Sequence, residues 1–317
     1  MVESLVEETA EPLLVVILGP TGSGKTTLSV ALAQRFGGEI ISCDSVAVYR
    51  GLEIGSAKPS AEHRKLIPHH LLDVVDLDAF YTAGDYSRAA REAIAGIVAR
   101  GSLPIVTGGT GLYLRALLQG LFPGPQRSTA LRARLLRKSE TRGPLSLHRI
   151  LRRLDPASAA RIHANDTAKV IRAIEVTLAS SRPMSEVWKA GRKALTGYRV
   201  LRLGLDPLRA QLYQRINARA DAMFAQGLID ETRELLARYG RVPALDSLGY
   251  RQAAQHLAGE LTLEQAVAAA SQGHRNYAKR QLTWFRREPE VCWLQGFGDD
   301  PSLRAEAERL VTQYRAQ

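Results

Sequence analysis

The segment Gly19–Thr26 constrains this chain more than any other, because it reads GPTGSGKT and matches the phosphate-binding pattern G-x-x-x-x-G-K-[ST]. An apolar run, Leu13–Leu18, precedes it, and a helical pattern carrying Leu28, Leu32 and Phe36 follows it. In a strand, loop and helix of this kind, backbone N–H groups and the helix N-terminus converge on one anion. We therefore expect a phosphate chain to bind Gly19, Pro20, Thr21, Gly22, Ser23, Gly24, Lys25 and Thr26.

Lys25 and Thr26 are the two side chains of this loop that carry chemistry. In phosphate loops of this pattern the lysine reaches an outer phosphate and the hydroxyl binds Mg²⁺. We expect both roles here, with Mg²⁺ as the cofactor and Thr26 as its protein ligand. A nucleotide kinase or NTPase is the plain prediction from the loop alone.

The basic charge of the chain is confined to one segment. Residues 122–200 hold 17 Arg or Lys and 5 Asp or Glu, a net charge of +12, whereas the whole chain carries +11. A surplus segregated in this way is typical of a protein with a polyanion partner. Solvated Arg-rich helix faces would give the same composition. A small-molecule kinase has no use for such a segment.

Other compositional features predict the surroundings in which the protein works. No apolar stretch reaches the roughly 18 residues of a membrane span, and the chain starts with acidic rather than basic residues. Cys43 and Cys292 are the two cysteines, far apart and without a metal-ligand spacing. We expect a cytoplasmic monomer with no membrane partner.

Polar residues follow two further apolar runs. Asp44 lies two residues beyond the strand-like run Glu39–Ser42, and Thr110 lies three residues beyond the run Leu103–Thr107. Ligands of open α/β sheets bind at the carboxyl ends of the strands, so we expect Asp44 beside the phosphate loop. There it can hold Mg²⁺, act as a base, or cap a turn; Thr110 can contact a ligand or cap a helix.

His69 and His70 have no carboxylate or cysteine at ligand spacing, and we expect hydrogen-bonding or structural roles for them.

The second half of the chain is predominantly helical in pattern. We place the domains at 1–121, 122–200 and 201–317, with strand-like alternation returning at Tyr198–Leu205 and an all-helical, basic insertion before it. Arg215 and Arg219 share one helix face and can clamp an anion or pair with nearby carboxylates. Residues 274–287 interleave rings and cations, either as a nucleic-acid surface or as core anchors with solvated charges.

Seven segments in a fixed order carry a resemblance to a known family. They are Gly19–Thr26, Ile41–Gly51, Ile54–Pro59, Pro68–Asp73, Gly108–Tyr113, Gly249–Gln252 and Lys279–Trp284. Together they resemble the tRNA dimethylallyltransferases, and in particular the bacterial members without a zinc-finger tail. These enzymes modify the adenosine next to the anticodon. The resemblance implies an α/β fold of the P-loop NTPase type, a parallel sheet flanked by helices, with an inserted helical domain.

The resemblance also implies roles for individual residues. The phosphate loop would hold dimethylallyl diphosphate, and Lys25, Thr26 and Arg219 would stabilise the departing diphosphate. Asp44 would orient the adenine amine and accept its proton. The RNA side, which binds the tRNA anticodon stem-loop, would be formed by Asp44, Ser45, Val46, Ala47, Thr110, Arg132, Ala168, Lys169, Val170, Ile171, Arg172, Tyr250, Arg251, Gln252, Lys279, Arg280, Gln281, Trp284 and Arg286.

One departure from the family pattern concerns the acceptor side. Val46-Ala47 stands where members often have Met-Gln, so a hydrogen bond from the glutamine to RNA is absent here. Three alternatives remain open from the residues: an adenylate isopentenyltransferase, an RNA-binding NTPase, and a non-catalytic tRNA-binding protein. The segregated charge argues against the first, since a free nucleotide is too small to use it.

Overall fold

The computed structural model describes residues 11–122, 124–125 and 127–317, which form two compact units. The sheet unit comprises the described residues up to Leu118 together with Leu195–Gln317, and the helical unit is Gln119–Ala194. In chain order the helices are α1 (Lys25–Phe36), α2 (Ala61–Leu66), α3 (Ala83–Ala99), α4 (Gly111–Leu118), α5 (Thr129–Arg142), α6 (Pro144–Leu154), α7 (Pro156–Arg161), α8 (Thr167–Ser180), α9 (Met184–Val187), α10 (Arg209–Ala225), α11 (Leu228–Tyr239), α12 (Tyr250–Leu257), α13 (Leu263–Phe285) and α14 (Pro301–Arg315), with short 3-10 helices at Trp188–Ala190 and Pro243–Asp246.

The sheet unit is built on a parallel sheet, as predicted. Within the described residues it has six strands in the order β3-β2-β4-β1-β5-β6. They are β1 (Leu13–Leu18), β2 (Gly38–Ser42), β3 (His69–His70), β4 (Leu103–Gly108), β5 (Arg199–Leu205) and β6 (Val291–Leu294). Because β4 lies between β1 and β2, the loops that follow these three strands meet at one edge of the sheet.

The side chains of β1 show how the sheet is covered on both faces. Leu13, Val15 and Ile17 pack into a core formed with α1 and α14. Leu14, Val16 and Leu18 pack into the opposite core, with α3, α4 and α13. This alternation explains why a strand buried on both faces reads as a continuous apolar run.

The helical unit has its own core, which includes Leu135, Leu147 and Leu151 with residues of α8. Its helix α8 begins after the N-cap Asp166, whose side chain accepts from the Lys169 N–H. Asp155 lies buried at the start of α7 and accepts hydrogen bonds from Ser158 and Ser185. The unit is therefore held by an apolar interior and a few bonded polar groups.

The domain boundaries differ by several residues from the predicted ones. Residues 119–121 fall in the helical unit, and residues 195–200 fall in the sheet unit. The reason is local: the Leu195 N–H donates to the Leu118 carbonyl, and β5 already begins at Arg199, whose N–H bonds to Pro12.

Candidate active site

The phosphate loop joins β1 to α1 in a geometry that its glycines permit. Gly22 and Gly24 have φ angles of 80° and 84°, in the left-handed region that favours glycine. A Cβ added to Gly24 would also lie 2.8 Å from the backbone nitrogen of Gly298. The Lys25 ammonium donates to the Pro20 carbonyl at 2.7 Å, so the lysine folds back over its own loop.

A cavity of about 300 Å³ opens beside this loop. Its lining includes Lys25, Thr26, Asp44 and Arg219, the four residues for which the resemblance implies catalytic roles. The strand order explains why these residues lie around one cavity. Asp44 follows β2, the phosphate loop follows β1, and both loops flank the end of β4. The structure thus brings a carboxylate and an anion cradle together around one cavity.

The cationic side of the cavity is held in a poorly solvated environment. Burial lowers the pKa of Lys25 to about 7, with the neighbouring Arg219 charge acting in the same direction and Asp44 opposing it. Burial also lowers the pKa of Arg219, whose guanidinium donates to the Thr21 hydroxyl at 3.0 Å. Two cations that face each other at low solvation favour an anion between them.

The Asp44 carboxylate is oriented by its own loop. Its Oδ1 accepts from the backbone N–H groups of Val46 at 2.8 Å and Ala47 at 3.3 Å. The Thr110 hydroxyl in turn accepts from the Ser45 N–H at 3.0 Å. A Cβ on Gly108 would lie 2.2 Å from the Cys43 carbonyl oxygen, so only glycine lets the two strand ends pass so closely. The acidic loop is therefore tied to the end of β4.

Three side chains on one face of α13 pack against the site, and two of them, Tyr277 and Gln281, line the cavity. The Tyr277 hydroxyl and the Gln281 amide both donate to the Gly109 carbonyl, at 3.4 and 2.9 Å. Trp284 packs where a Cβ on Gly111 would lie, 2.4 Å from its ring. Burial raises the pKa of Tyr277 to about 12, so its hydroxyl stays protonated and can donate. Phe285 is a buried core anchor, whereas Tyr277 and Trp284 stay partly exposed, so contact of these two rings with RNA remains a prediction.

The sequence of this chain matches a known protein family over most of its length. The family model described as IPP transferase matches residues 47–288, which is most of the chain. The chain belongs to the IPP transferase family. The resemblance inferred from the seven motifs is thereby confirmed, and the chain is a transferase.

Individual relatives agree with this assignment of the chain to the IPP transferases. It is 64% identical over 303 residues to the tRNA dimethylallyltransferase of Koribacter versatilis, covering 95% of this chain and 99% of the relative. It is 53% identical to that of Solibacter usitatus, covering 96% and 99%. The crystal structure of the full-length tRNA isopentenylpyrophosphate transferase from Bacillus halodurans superposes with a TM-score of 0.70 at 38% identity, covering 95% and 96%. A eukaryotic dimethylallyltransferase captured acting on tRNA gives 0.81 at 27% identity, covering 95% and 80%.

The residues expected on the RNA side of this IPP transferase differ widely in exposure. Ala168, Lys169, Arg251, Lys279, Arg280 and Arg286 are exposed. Asp44, Ser45, Val46, Thr110, Arg132, Arg172 and Trp284 are partly exposed. The buried ones are Ala47, Val170, Ile171, Tyr250, Gln252 and Gln281. Ala47 nevertheless lines the cavity, so a nucleotide that enters the cavity can still meet it.

For four of the buried residues the expectation of direct RNA contact is wrong. Val170 and Ile171 have no exposed surface because they form the core of the helical unit. Tyr250 is equally buried, and its hydroxyl donates to Glu231 and accepts from the Gly55 N–H. The Gln252 carbonyl accepts from the Gly249 N–H and so caps its own helix. These side chains stabilise the fold instead.

Arg132 and Arg172 are also occupied within the helical unit. The Arg132 guanidinium lies 3.2 Å from the carboxylate of Glu175, whose side chain is only 2% exposed. Arg172 donates to the Pro125 carbonyl at 3.1 Å. Both arginines therefore have a structural role beside any contact with RNA.

The two arginines of α10 follow different alternatives. Arg219 lies in the cavity beside the phosphate loop, as an anion clamp requires. Arg215 also lines the cavity, but its guanidinium is paired with Asp299 at 2.7 Å and stacks on Phe297. Glu231, a carboxylate of the neighbouring helix α11, accepts from the backbone of Glu53 and Ile54.

The histidines have the hydrogen-bonding roles that the sequence predicts. His70 bonds to the Glu39 carboxylate at 2.7 Å, and His69 bonds to the Ile67 carbonyl at 2.8 Å. Across the described residues, no group of three His, Cys, Asp or Glu side chains is placed to hold a metal ion. Over the same residues, no helix combines the length and apolar character needed to cross a membrane.

The residues at this site are compatible with a Mg²⁺ ion that binds together with a diphosphate substrate. Thr26 lines the cavity at the start of α1, where it can offer one hydroxyl ligand. Mg²⁺ commonly keeps several waters and binds through one or two protein groups plus substrate phosphates. The lack of an acidic cluster in the described chain is compatible with such binding.

Two features of the site were missed from the sequence. The link that Gln281 makes between loops was not predicted, although Tyr277, Gln281 and Trp284 stand at helical spacing on one face. The loop after β6 was also overlooked: the Gly298 N–H donates to the Ser23 carbonyl at 2.9 Å and braces the phosphate loop. The glycines of that loop were the available signal.

Proposed function

We propose that this chain transfers the dimethylallyl group of dimethylallyl diphosphate to the exocyclic amine of the adenosine on the 3′ side of the anticodon, in tRNAs that read codons beginning with U. Its membership of the IPP transferase family supports the reaction class. The single observation that carries the mechanism is the cavity in which Asp44 faces the anion cradle of Lys25, Thr26 and Arg219.

The phosphate loop has the properties needed to bind the leaving group. In the transfer, the allylic C–O bond breaks, and its electron pair leaves with the diphosphate. Lys25 and Arg219 lie where that negative charge collects, in a site already formed before the reaction. Preorganised donors of this kind are worth about 2.7–4 kcal/mol each. Thr26 would hold Mg²⁺, which supplies further positive charge to the diphosphate oxygens when it is bound.

Asp44 has the properties needed to receive the proton. The exocyclic amine is too weak an acid for a carboxylate to deprotonate at rest. As its nitrogen bonds to the allylic carbon, the amine becomes acidic, and Asp44 then takes the proton that is lost. Because Oδ1 is held by the Val46 and Ala47 N–H groups, the carboxylate keeps a fixed direction while it does so.

The acceptor adenine stands in a stacked loop and must be turned out into the cavity. Unstacking costs a few kcal/mol, and contacts to the neighbouring nucleotides offset that cost. The exposed cations of the helical unit and the Lys279 and Arg280 face of α13 supply charge for binding the stem-loop. Binding that depends on such charges weakens steeply as the salt concentration rises.

Mass spectrometry of tRNA after incubation with dimethylallyl diphosphate and Mg²⁺ tests this function. We expect one adenosine beside the anticodon to gain one prenyl group in place of a hydrogen. AMP and ATP serve as alternative acceptors in separate reactions. Prenylation of AMP but not tRNA would indicate an adenylate isopentenyltransferase. ATP hydrolysis with unaltered tRNA would indicate an NTPase.

A further inference from the structure

Gln281 joins two loops of the active site through one amide group. Its carbonyl accepts from the Thr21 N–H at 2.8 Å, and its NH₂ group donates to the Gly109 carbonyl at 2.9 Å. The residue is only 5% exposed and lies 260 positions from Thr21 in the chain. A Cβ on Gly109 would lie 2.1 Å from the Gln281 nitrogen, so glycine makes room for the contact.

At neutral pH, a primary amide of this length meets both partners, whereas a carboxylate or an apolar side chain of similar length does not. One partner is a backbone donor and the other a backbone acceptor, so the side chain must accept at one atom and donate at the other. An ionised glutamate accepts from Thr21 but has no proton for Gly109. Methionine has similar length and makes neither bond. Protonated glutamic acid has both functions again.

Of the two loops that Gln281 joins, one is the proposed binding site of the leaving group and the other is tied to the proposed base. Thr21 belongs to the phosphate loop, whereas Gly109 precedes Thr110, whose hydroxyl holds the Ser45 N–H beside Asp44. The Thr110 N–H also donates to the Cys43 carbonyl at 3.1 Å. A continuous series of bonds therefore runs from the anion cradle through Gln281 to the loop of the carboxylate.

The Thr21 N–H is used by Gln281 rather than pointed at an anion. Loss of the Gln281 amide should therefore change the position of the phosphate loop more than the affinity of that loop for the diphosphate. A misplacement of reacting groups by about 1 Å costs on the order of a hundredfold in rate.

We propose that Gln281 is a positioning residue that sets the distance between the departing diphosphate and the receiving Asp44 carboxylate. This inference rests on the proposed prenyl transfer. It reassigns Gln281 from RNA contact to the alignment of the two halves of the reaction.

Steady-state kinetics of the full chain with tRNA and dimethylallyl diphosphate, together with tRNA binding, test this role in Gln281→Met and Gln281→Glu. For Gln281→Met we expect kcat to fall about tenfold to a hundredfold, with the donor KM and the tRNA Kd each within about threefold. Gln265→Met is the matched control, because Gln265 accepts from the Thr262 N–H at the far end of the same helix. It should retain the wild-type kcat.

The pH profile of Gln281→Glu separates positioning from loss of packing. Burial against a carbonyl raises a carboxyl pKa above the ordinary value of about 4.3. The ratio of the Glu variant's kcat to that of wild type should rise as pH falls from about 8 to about 5.5, while the ratio for Gln281→Met stays flat. Taking the ratio removes any pH dependence that the three proteins share.

Gly109→Ala provides an independent route to the same network, since the added Cβ displaces the Gln281 amide from the opposite side. It should reproduce the loss of kcat if Gln281→Met does not fold. A kcat within twofold of wild type in a folded variant, a flat pH ratio for Gln281→Glu, or a tRNA Kd that weakens in step with kcat would each overturn the proposal. Wild-type protein that leaves tRNA unmodified would instead overturn the proposed function.

Discussion

The two units of the protein place their charges in different ways. In the sheet unit, each charged group to which we assign a role in the reaction is held by a protein group: Lys25 by the Pro20 carbonyl, Asp44 by two backbone N–H groups, and Arg219 by the Thr21 hydroxyl. In the helical unit many cations lie at the surface, among them Arg134, Arg137, Arg142, Arg149, Arg152 and Arg153. Fixed charges suit the stabilisation of one transition state, whereas numerous exposed charges suit the attraction of a polyanion. The two units should therefore respond to mutation in different measurements.

Removal of the base should give the largest effect and act on chemistry alone. In Asp44→Asn the amide oxygen can still accept from the Val46 N–H, so the loop keeps its shape while the proton acceptor is lost. We expect kcat to fall by about 10²–10⁴ and tRNA affinity to stay within about tenfold. Quench-flow or steady-state prenyl transfer measures the first, and filter binding the second.

Asp76→Asn is the matched control for the base, because Asp76 is an exposed carboxylate paired with Arg50. It should transfer the prenyl group at the wild-type rate. If Asp44→Asn kept kcat within threefold of wild type, another group would have to accept the proton.

Removal of a fixed cation should come next in size. Arg219→Gln removes the proposed preorganised donor to the diphosphate, and we expect a cost of about 2.7–4 kcal/mol, or roughly 10²–10³ in kcat. The Thr21 hydroxyl also loses its partner. Arg209→Gln, at the start of the same helix, is the control and should leave kcat unchanged. A loss confined to tRNA binding in Arg219→Gln would place this arginine on the RNA side instead.

The backbone-built part of the site was the most predictable from sequence. The phosphate loop, the parallel sheet and the position of Asp44 follow from local patterns, because glycines, buried strands and strand ends are each specified within a few residues. The observed strand β4, Leu103–Gly108, ends one residue beyond the predicted run Leu103–Thr107. Short sequence patterns were therefore sufficient to predict this part of the site.

Contacts between distant segments were less predictable. The Tyr250, Gln252 and Gln281 side chains were expected to face RNA, but each is buried and bonded to protein. Their partners lie far away in the chain or depend on helix caps that spacing alone does not reveal. Val170 and Ile171 could have been assigned to the core from helical periodicity, because Ile174 follows them at i+4 and i+3 and forms one apolar face with them.

Charge reversal in the helical unit should change affinity and leave chemistry intact. Arg152 and Arg153 are exposed at the end of α6, so Arg152→Glu/Arg153→Glu removes cations without disturbing the core. We expect tRNA affinity to fall about tenfold, and the slope of log affinity against log salt to flatten by about 0.9 for each RNA phosphate that the variant no longer neutralises. Saturating kcat should stay within about twofold. An unchanged slope would contradict the helical unit as an RNA surface.

Arg132 is a poor probe of the same surface, and the comparison shows why. Its reversal would leave the nearly buried Glu175 carboxylate without its cation, a change that typically costs about 3–5 kcal/mol of stability. We expect Arg132→Glu to lower the melting temperature of the protein, whereas the Arg152/Arg153 variant melts like wild type. Differential scanning calorimetry distinguishes the two.

The pH dependence of donor binding should give the smallest effect. Burial and Arg219 lower the pKa of Lys25 to about 7, and a bound diphosphate favours the charged lysine and so raises that pKa. Binding therefore takes up a proton whenever the free protein holds Lys25 neutral, that is, above pH 7. From pH 7 to pH 8 the protonated fraction falls from one half to about one eleventh, so the affinity for dimethylallyl diphosphate should fall about fivefold.

Isothermal titration calorimetry in two buffers of different ionisation enthalpy counts the protons taken up. We expect nearly one proton per donor bound at pH 8 and fewer at pH 6. Lys25→Arg keeps its charge throughout this range, so its affinity should be almost independent of pH even if it is weaker overall. The same dependence in Lys25→Arg and wild type would assign the titration to another group. If the affinity of the wild-type protein for the donor did not depend on pH, Lys25 would already be charged before the donor binds. The held cations of the sheet unit would then differ from the exposed cations of the helical unit in geometry alone.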